Sequence, residues 1–236
     1  MRLLLTPSAR AVARMFGPSL DEAQYLINWS RRFRYIYVEV PKAGCSTVKL
    51  TLQRIERDDR AYAPDNKHAR SRSPLLSPLS SPHAFLEALK APDCLRFCFV
   101  RDPYSRILSA YAEKLAGNDF EREMRLRKLG FSQTPSFEEF LEALARRGTR
   151  GDIHWARQTD LLRPDVIAYD FVGRFENFQS DFATVLTRIG RDPGWIAEAR
   201  RHRTDASARA GDISLRERVL IGEIYAEDFA RFGYPV

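Results

Sequence analysis

The order of apolar and polar positions predicts strands and helices that alternate along the chain. Runs rich in β-branched and aromatic residues predict three strands, namely "YIYVEV" (35–40), "CLRFCFV" (94–100) and "VIAYDFVGRFE" (166–176). Each run precedes a segment with apolar residues at helical spacing, respectively "VKLTLQRIE", "DPYSRILSAYAEKLAG" and "NFQSDFATVLTRIG". Strands separated by helices predict an α/β fold in which helices flank a central parallel sheet.

Helix start signals add further elements to this outline. Capping residues predict helix starts at five places, which are Ser19, Ser81, Asp102, Ser136 and Ser214. The first of these helices is expected to run through "AQYLINW", whereas "TPSARAVARMFGP" before it predicts only a loose lead-in. The polar, proline-rich range 57–82 predicts a long connecting loop, and loops of that length are often functional or disordered.

Length and composition limit the class of protein. The chain has 236 residues, of which 44% are hydrophobic, enough for one sizeable core. We therefore expect a single domain over 1–236, with an N-terminal extension over 1–33 that carries a short helix. The formal net charge of +7 comes mainly from arginine, whose guanidinium pairs with phosphate, sulfate or carboxylate. Composition alone does not choose among these anions.

Cysteines, histidines and apolar runs indicate the compartment. Three cysteines without a CxxC pair and four scattered histidines form no metal-ligand motif, so we expect no metal. A low, odd cysteine count favours a reducing compartment. No apolar run approaches the ~20 residues of a membrane span, and the apolar stretch at the N-terminus is shorter than the ~7–15 residues of a signal peptide. We therefore expect a soluble, cytoplasmic protein.

The turn after the first predicted strand has the chemistry of an anion site. Its small residues let a ligand approach the backbone, its hydroxyls and lysine donate hydrogen bonds, and the start of the next helix favours a negative charge. These residues are Pro41, Lys42, Ala43, Gly44, Cys45, Ser46 and Thr47. A kinase-type loop would place its lysine late, as in GxxxxGK[ST], whereas here the lysine comes first. The alternative is an ordinary strand–helix turn with a solvated lysine.

A second candidate anion site lies in "FVRDPYSRILSAY", at the end of the second predicted strand. Arg101 follows a buried strand, where an unpaired guanidinium would be costly, so it should meet a phosphate or an internal carboxylate. At about 100° per residue, the following helix places Ser105 and Ser109 on a face of small residues and Arg106 on a charged face. The small face suits either contact with a ligand, which Ser109 would share with Arg101, or close helix packing.

Together the two motifs resemble those of a known enzyme family. "VPKAGCSTVK" is similar to the 5′-phosphosulfate-binding loop of the sulfotransferases, and "FVRDPYSRILSAY" is similar to their 3′-phosphate-binding motif. The resemblance is to the carbohydrate sulfotransferases of the chondroitin and HNK-1 type, and it extends through "DIHWARQTDLL", "YDFVGRFENFQSDFATVL" and "YAEDFARFGY". Animal members carry a membrane anchor and luminal disulfides, and this sequence shows the pattern of neither. We therefore expect a compact, bacterial-type member.

The resemblance implies a fold, a donor and roles for the motif residues. The fold would be P-loop-like, with three layers around a central parallel sheet. The donor would be 3′-phosphoadenosine 5′-phosphosulfate (PAPS), which leaves as adenosine 3′,5′-bisphosphate without the help of a metal. Lys42 would contact the 5′-phosphate and its bridging oxygen, and Arg101 and Ser109 would bind the 3′-phosphate. The residues that complete the cradle of the 5′-phosphosulfate would be Ala43, Gly44, Cys45, Ser46 and Thr47.

Transfer to a hydroxyl requires a group that takes its proton. His68 lies in the long connection, where related sulfotransferases place a histidine near the acceptor. His154, in "GDIHW", matches a histidine-containing segment of the family and would serve as the base or bind the acceptor. A carboxylate base such as Glu39 is the alternative. His83 and His202 are interpreted as structural or surface residues.

The sequence says less about the acceptor and about the segment that would fold over the bound nucleotide than about the two motifs. The resemblance implies a carbohydrate hydroxyl, and the basic segment 119–130 would favour an acidic glycan if it lined the cleft; otherwise it is a solvated helix. The range 202–213 stands where the family folds a segment over the nucleotide, with Arg203 and Thr204 as candidate contacts. Neither the acceptor nor the oligomeric state follows from the sequence.

Two other functions fit parts of the chain. A P-loop kinase or other phosphotransferase would require a late lysine and a metal-binding acid, and neither motif is present. A non-catalytic anion-binding module would show salt-dependent binding of polyanions without selectivity for a 3′-phosphate. Nucleic acid is not expected as a partner, because the positive charge is spread along the chain and no nucleic-acid-binding motif is found.

Overall fold

The computed structural model describes residues 6–117, 120–198 and 213–236. The chain divides into two compact units. The first comprises Met1–Val40, Gly44–Phe99 and Leu162–Ala199, and the second comprises Pro41–Ala43, Val100–Leu161 and Arg200–Val236. The single domain expected from the chain length remains a prediction.

Four strands form one sheet in the order β1-β2-β3-β4. The strands are β1 (Ile27–Ser30), β2 (Tyr35–Val38), β3 (Leu95–Val100) and β4 (Phe171–Arg174). β2 and β3 are parallel, with Tyr35 opposite Leu95. β1 and β2 are antiparallel, with Ile27 opposite Val38. The predicted α/β class, with a central sheet flanked by helices, is confirmed. The sheet is mixed, because β1 is antiparallel to β2.

β1 was not predicted, because its sequence continues an apparently helical pattern. The helix that begins at Leu20 ends at Leu26, and the chain then becomes extended over Ile27–Ser30. A short reversal before Tyr35 returns the chain as β2, and Arg34 in that reversal has a left-handed backbone with φ of 49°. Strand β1 therefore belongs to the sheet although it lies inside the predicted N-terminal extension.

Eleven α-helices are found among the described residues. In chain order they are α1 (Pro7–Phe16), α2 (Leu20–Leu26), α3 (Cys45–Arg57), α4 (Pro82–Lys90), α5 (Pro103–Lys114), α6 (Arg122–Leu129), α7 (Phe137–Arg147), α8 (Gln158–Leu162), α9 (Phe178–Arg188), α10 (Leu215–Ile224) and α11 (Ala226–Phe232). The helices predicted after the three strands are confirmed as α3, α5 and α9. The loose lead-in is wrong, since it forms α1. No helix among the described residues combines the length and apolar character needed to cross a membrane.

Most of the predicted helix starts are confirmed in detail. Ser136 and Ser214 both form complete capping boxes, with Glu139 and Glu217 as their partners. Asp102 caps α5 by accepting a hydrogen bond from the backbone N–H of Ser105 at 2.8 Å. The capping role predicted for Ser19 is wrong. The chain does start a helix there, but the Ser19 side chain makes no capping hydrogen bond.

Aromatic side chains fill the core of the first unit beneath the strands. The rings of Tyr37 on β2 and Phe97 on β3 stack with centroids 5.1 Å apart. Phe99 meets Phe182 of α9 edge to face at 5.8 Å. Burial of each such side chain stabilises the fold by about 1.5–3 kcal/mol. This packing holds the ends of β2 and β3, after which both candidate motifs begin.

The long connection between α3 and α4 is confirmed. It contains two short 3₁₀ turns, Arg70–Arg72 and Pro78–Ser80, but no α-helix. The buried side chain of Gln53 on α3 donates a hydrogen bond to the carbonyl oxygen of Lys67 at 2.9 Å. This bond fastens to α3 the part of the connection that carries His68.

Candidate functional site

The turn between β2 and α3 has an unusual backbone. Lys42 and Gly44 both lie in the left-handed region, with φ of 72° and 82°. A Cβ atom at position 44 would lie 2.6 Å from the ring of Phe178, so glycine is required there on steric grounds as well. Gly44 is also the N-cap residue of α3, whose first backbone N–H groups have no acceptor within the helix. The turn therefore delivers donors and a positive dipole end at the start of α3.

In the first unit, four side chains form a connected polar group at this helix start. Ser46 Oγ lies 3.1 Å from Nε2 of His68. Nδ1 of the same imidazole lies 3.2 Å from Oε1 of Glu39. The other oxygen of Glu39, Oε2, lies 2.9 Å from Nζ of Lys49. A hydroxyl, an imidazole, a carboxylate and an ammonium thus follow one another in a single line of contacts.

The backbone around His68 is fixed by its own segment. The backbone N–H of His68 donates to Oδ1 of Asn66 at 2.8 Å, as in an Asx turn. Together with the bond from Gln53 to the carbonyl oxygen of Lys67, this places the imidazole against Ser46. The family resemblance implied that His68 lies near the acceptor, which stays a prediction. In the structure its imidazole contacts Ser46 of the first motif.

Glu39 and Lys49 form a buried ion pair. Their side chains are 2% and 0% exposed. Burial alone would raise the pKa of Glu39, but the adjacent His68 imidazole and the charge of Lys49 outweigh it and lower the pKa to about 2. In this pair each buried charge is compensated by the opposite one, and removal of one partner would leave an uncompensated charge. Glu39 therefore stays ionised at neutral pH.

Glu39, Cys45 and His68 also bring three ligand atoms within 4.8 Å of one another. Thiolate, imidazole and carboxylate together are a ligand set that zinc accepts. Against this, the ammonium of Lys49 lies directly on Glu39 and would repel a divalent cation. The expectation of a metal-free site remains a prediction.

Because the Glu39 carboxylate is buried and ionised, part of the free energy of unfolding should depend on pH in the acid range. Its folded pKa of about 2 lies below the ordinary value of 4.5, so its contribution is complete above pH 4.5 and is lost as the pH falls towards 2. We expect the difference in unfolding free energy between the wild type and Glu39→Gln to shrink across this window. Denaturant titrations at pH 6, 4 and 3 measure it, and a difference that stays constant would contradict this assignment.

In the second unit, Lys42 and Lys114 contact the two oxygens of one carboxylate, that of Glu113. Nζ of Lys42 lies 2.5 Å from Oε2 of Glu113 on α5, and Nζ of Lys114 lies 3.0 Å from Oε1. Burial opposes ionisation, but the two lysines lower the pKa of Glu113 to about 2. Lys42 is therefore not the solvated lysine of an ordinary turn. It is 11% exposed and oriented by a carboxylate.

Two buried guanidiniums hold the backbone around Lys42. Arg101 donates from Nη1 to the carbonyl oxygen of Lys42 at 3.1 Å and from Nε to Oγ of Ser105 at 3.0 Å. Arg106 donates from Nε to the carbonyl oxygen of Pro41 at 3.1 Å and from Nη1 to that of Ala156 at 2.8 Å. These bonds to successive carbonyls support the left-handed backbone that Lys42 adopts.

The placement of Arg106 corrects the predicted faces of α5. Arg106, expected on a charged face, is only 1% exposed. Tyr104 and Tyr111 of the same helix are only half-buried. Ser109 is buried, with 2% of its surface exposed, which agrees both with close helix packing and with a ligand contact shared with Arg101. Whether Ser109 contacts a phosphate stays a prediction.

Loss of Arg106 should destabilise the protein strongly. Arg106→Met keeps much of the side-chain volume but leaves the carbonyls of Pro41 and Ala156 without their donor. We expect a loss of about 2–4 kcal/mol of unfolding free energy, measured by denaturant titration. Arg150→Met is the matched control, because Arg150 is 81% exposed and its change should stay within about 0.5 kcal/mol. Equal losses in both variants would contradict a structural role for Arg106.

His154 has its own carboxylate partner in the second unit. Its Nδ1 lies 2.6 Å from Oδ1 of Asp152, and the other oxygen of Asp152 accepts from Nε of Arg125 at 2.8 Å. Burial would raise the pKa of Asp152, but its contacts with His154 and Arg125 lower it. The basic helix α6 is thus not simply solvated, because Arg125 is buried and braces the His154 loop.

The comparisons with known proteins follow this geometry. Residues 26–235 match the "Sulfotransferase family". The chain belongs to the sulfotransferase family. Similar to this chain are carbohydrate sulfotransferase 11 of Danio rerio, 28% identical over 85% of this chain and 64% of the relative, and two proteins of Homo sapiens. These are carbohydrate sulfotransferase 9, 27% identical over 86% of this chain and 52% of the relative, and carbohydrate sulfotransferase 14, 27% identical over 88% and 59%.

The match leaves part of each relative uncovered. The chain spans 52% to 64% of the length of these three curated relatives. No solved structure was found to match the chain. The family match confirms the resemblance inferred from the two motifs and agrees with a P-loop-like α/β fold.

Some residues of the chain fall outside the sequence predictions, and others fall outside the described structure. Lys49 and Arg106 were not predicted to matter, although both are buried and paired. The only sign of their role in the sequence is that each is a charged residue in a helix that must pack against the core. Arg203 and Thr204, the predicted contacts of the segment that would fold over the nucleotide, lie outside the described residues.

Proposed function

We propose that this chain transfers a sulfuryl group from PAPS to a hydroxyl of a carbohydrate. The observation that carries the proposal is the pair of donor motifs, each beginning where a strand ends in a sulfotransferase-family fold. Membership of the family supports the sulfuryl donor, and the relatives named carbohydrate sulfotransferases support a sugar acceptor.

The first motif is proposed to bind the 5′-phosphosulfate. The N-terminus of α3 offers backbone donors and the hydroxyls of Ser46 and Thr47, all suited to an anion. Lys42 would stabilise the charge that develops on the bridging oxygen when the bond to sulfur breaks. A sulfuryl group carries less charge than a phosphoryl group, so this set of donors suffices without a metal. The small residues Ala43, Gly44 and Cys45 would allow the phosphate to approach the backbone.

The second motif is proposed to bind the 3′-phosphate, the group that distinguishes PAPS from ATP. Arg101 presents a guanidinium, whose planar donors match phosphate oxygens in pairs. Ser109 lies two turns into α5 and would share the phosphate with it. In the described structure Arg101 already supports the carbonyl of Lys42, so it would serve both the backbone and the ligand.

His68 is proposed as the base that takes the proton of the acceptor hydroxyl. Its imidazole touches Ser46 of the loop proposed to hold the sulfuryl group. Glu39, the carboxylate alternative, lies behind the imidazole and forms an ion pair with Lys49. Its lowered pKa makes it a poor proton acceptor. His154 is proposed to contact the acceptor, and the basic residues of α6 favour an acidic glycan.

Transfer of labelled sulfate from PAPS tests this function. The purified chain is incubated with PAPS that carries radioactive sulfur and with a panel of uronic-acid polymers, including chondroitin, and neutral oligosaccharides. We expect labelled glycan with at least one acidic polymer, and little product from His68→Ala. Transfer that requires ATP and magnesium, or the absence of transfer to every glycan although PAPS binds, would contradict the proposal of a carbohydrate acceptor.

A further inference from the structure

We propose that Glu39 is a positioning residue for sulfuryl transfer, which fixes the His68 imidazole with its proton on Nδ1 and its lone pair on Nε2. The inference rests on the proposed function, in which His68 is the base. It goes further by assigning the protonated nitrogen, the orienting carboxylate and the role of the buried Lys49.

The contacts of the imidazole determine which nitrogen holds the proton. An ionised carboxylate carries no proton and repels a lone pair, so the 3.2 Å approach of Oε1 of Glu39 to Nδ1 is favourable only when the imidazole proton is on Nδ1. In the neutral ring the other nitrogen, Nε2, is then an acceptor. Ser46 Oγ lies 3.1 Å from Nε2 and can donate its hydroxyl hydrogen to it. The nitrogen that faces the loop is therefore the basic one.

Lys49 keeps Glu39 ionised, as the proton on Nδ1 of His68 requires. The ammonium of Lys49 is fully buried 2.9 Å from Oε2, leaving Oε1 for the imidazole. The ring of Tyr25 packs against the same ammonium, with its centroid 5.2 Å from Nζ. With its pKa lowered to about 2, the Glu39 carboxyl group does not compete with His68 for the proton at neutral pH.

In the transfer step, one proton moves to His68 and one sulfuryl group moves to the acceptor oxygen. The acceptor hydroxyl gives its proton to Nε2 of His68 as its oxygen forms a bond to the sulfur of PAPS. The bond between sulfur and the bridging oxygen breaks, and its electron pair stays on the phosphate of adenosine 3′,5′-bisphosphate. The imidazolium formed is stabilised through Nδ1 by the negative charge of Glu39.

The contact between Lys49 and Glu39 also determines how a neutral residue in place of Glu39 would be oriented. In Glu39→Gln the buried ammonium needs an acceptor, so the amide oxygen should turn towards Lys49. The amide NH₂ then faces Nδ1 and can only donate to it. The imidazole proton must move to Nε2, and the nitrogen that faces the loop loses its lone pair.

Nitrogen-15 NMR of the histidine side chains tests this tautomer directly. The chain has four histidines, so the imidazole spectrum is simple, and His68 is identified by the signals lost in His68→Ala. At alkaline pH we expect Nδ1 of His68 to be protonated in the wild type and Nε2 in Glu39→Gln. His154, held by Asp152, is an internal reference whose tautomer should not change. A proton on Nε2 in the wild type would overturn the proposal.

A kinetic cycle separates positioning from structure. We expect Glu39→Gln to lower kcat at least about tenfold, within the ~10²–10⁴-fold that a general base contributes, with little change in the KM for PAPS. In the His68→Ala background the same substitution should have almost no effect on kcat. Equal effects in both backgrounds would overturn the proposal.

The matched control for the kinetic cycle is Glu56→Gln. Glu56 is a carboxylate at the far end of α3 that accepts a hydrogen bond from Tyr35, and its loss should leave kcat unchanged. If Glu39→Gln fails to fold, the wild-type tautomer still decides the question. If the chain does not bind PAPS, the proposed function fails while the tautomer result stands.

Discussion

Lys42→Ala should reduce kcat for sulfuryl transfer by about 10²–10³-fold, the usual cost of removing one donor that stabilises developing charge. The structure holds this lysine in a left-handed backbone whose carbonyl is bound by Arg101, with its ammonium on Glu113. A side chain placed so firmly can act on the bridging oxygen without further ordering. Measurement of kcat and KM with saturating acceptor gives the effect, which should fall mainly on kcat.

Lys114→Ala is the matched control for this experiment. Lys114 contacts the other oxygen of the same carboxylate, so both variants leave Glu113 with one lysine partner fewer. We expect Lys114→Ala to retain activity within a few-fold of the wild type. If the two variants lost activity equally, the effect would come from the unpaired Glu113, and the catalytic role of Lys42 would be contradicted.

Arg101→Ala should weaken the binding of adenosine 3′,5′-bisphosphate by about 10- to 100-fold. This loss corresponds to a charge-assisted hydrogen-bonded contact of ~1.5–3 kcal/mol. The guanidinium is almost buried, with 5% of the residue exposed, so its interaction with a phosphate would be poorly screened. Isothermal titration calorimetry of both proteins measures the change.

AMP distinguishes the two roles of Arg101. AMP has no 3′-phosphate, so its affinity should change little in Arg101→Ala if the guanidinium binds that group. If Arg101 serves only to hold the carbonyl of Lys42, the affinities for AMP and for the 3′,5′-bisphosphate should fall by the same factor. That outcome would contradict the assignment of the 3′-phosphate site.

Local signals account for the parts of the structure that the sequence predicted well. The residue pair Asp102–Pro103 defines a helix start by its own chemistry, and α5 begins there. Gly44 supplies the left-handed residue before α3, as expected of a small residue in a phosphate-binding turn. Such features need no knowledge of distant neighbours, so the two motifs and the order of elements were predictable.

The features that were missed depend on contacts between residues far apart in the chain. A helical wheel places Arg106 among charged residues but cannot show that carbonyls of Pro41 and Ala156 satisfy it inside the second unit. Lys49 likewise reads as an ordinary helix residue until Glu39 is found against it. The four residues of β1 acquire their conformation from pairing with β2, because their local pattern continues a helix.

Selectivity for the 3′-phosphate is the central claim, and a nucleotide titration tests it most directly. The purified chain is titrated with adenosine 3′,5′-bisphosphate, ADP, AMP and magnesium–ATP under identical salt. The proposed donor site predicts that the 3′,5′-bisphosphate binds at least about tenfold more tightly than the other three, since only it offers a group to Arg101 and Ser109. Equal or tighter binding of magnesium–ATP would contradict the account and favour a phosphotransferase.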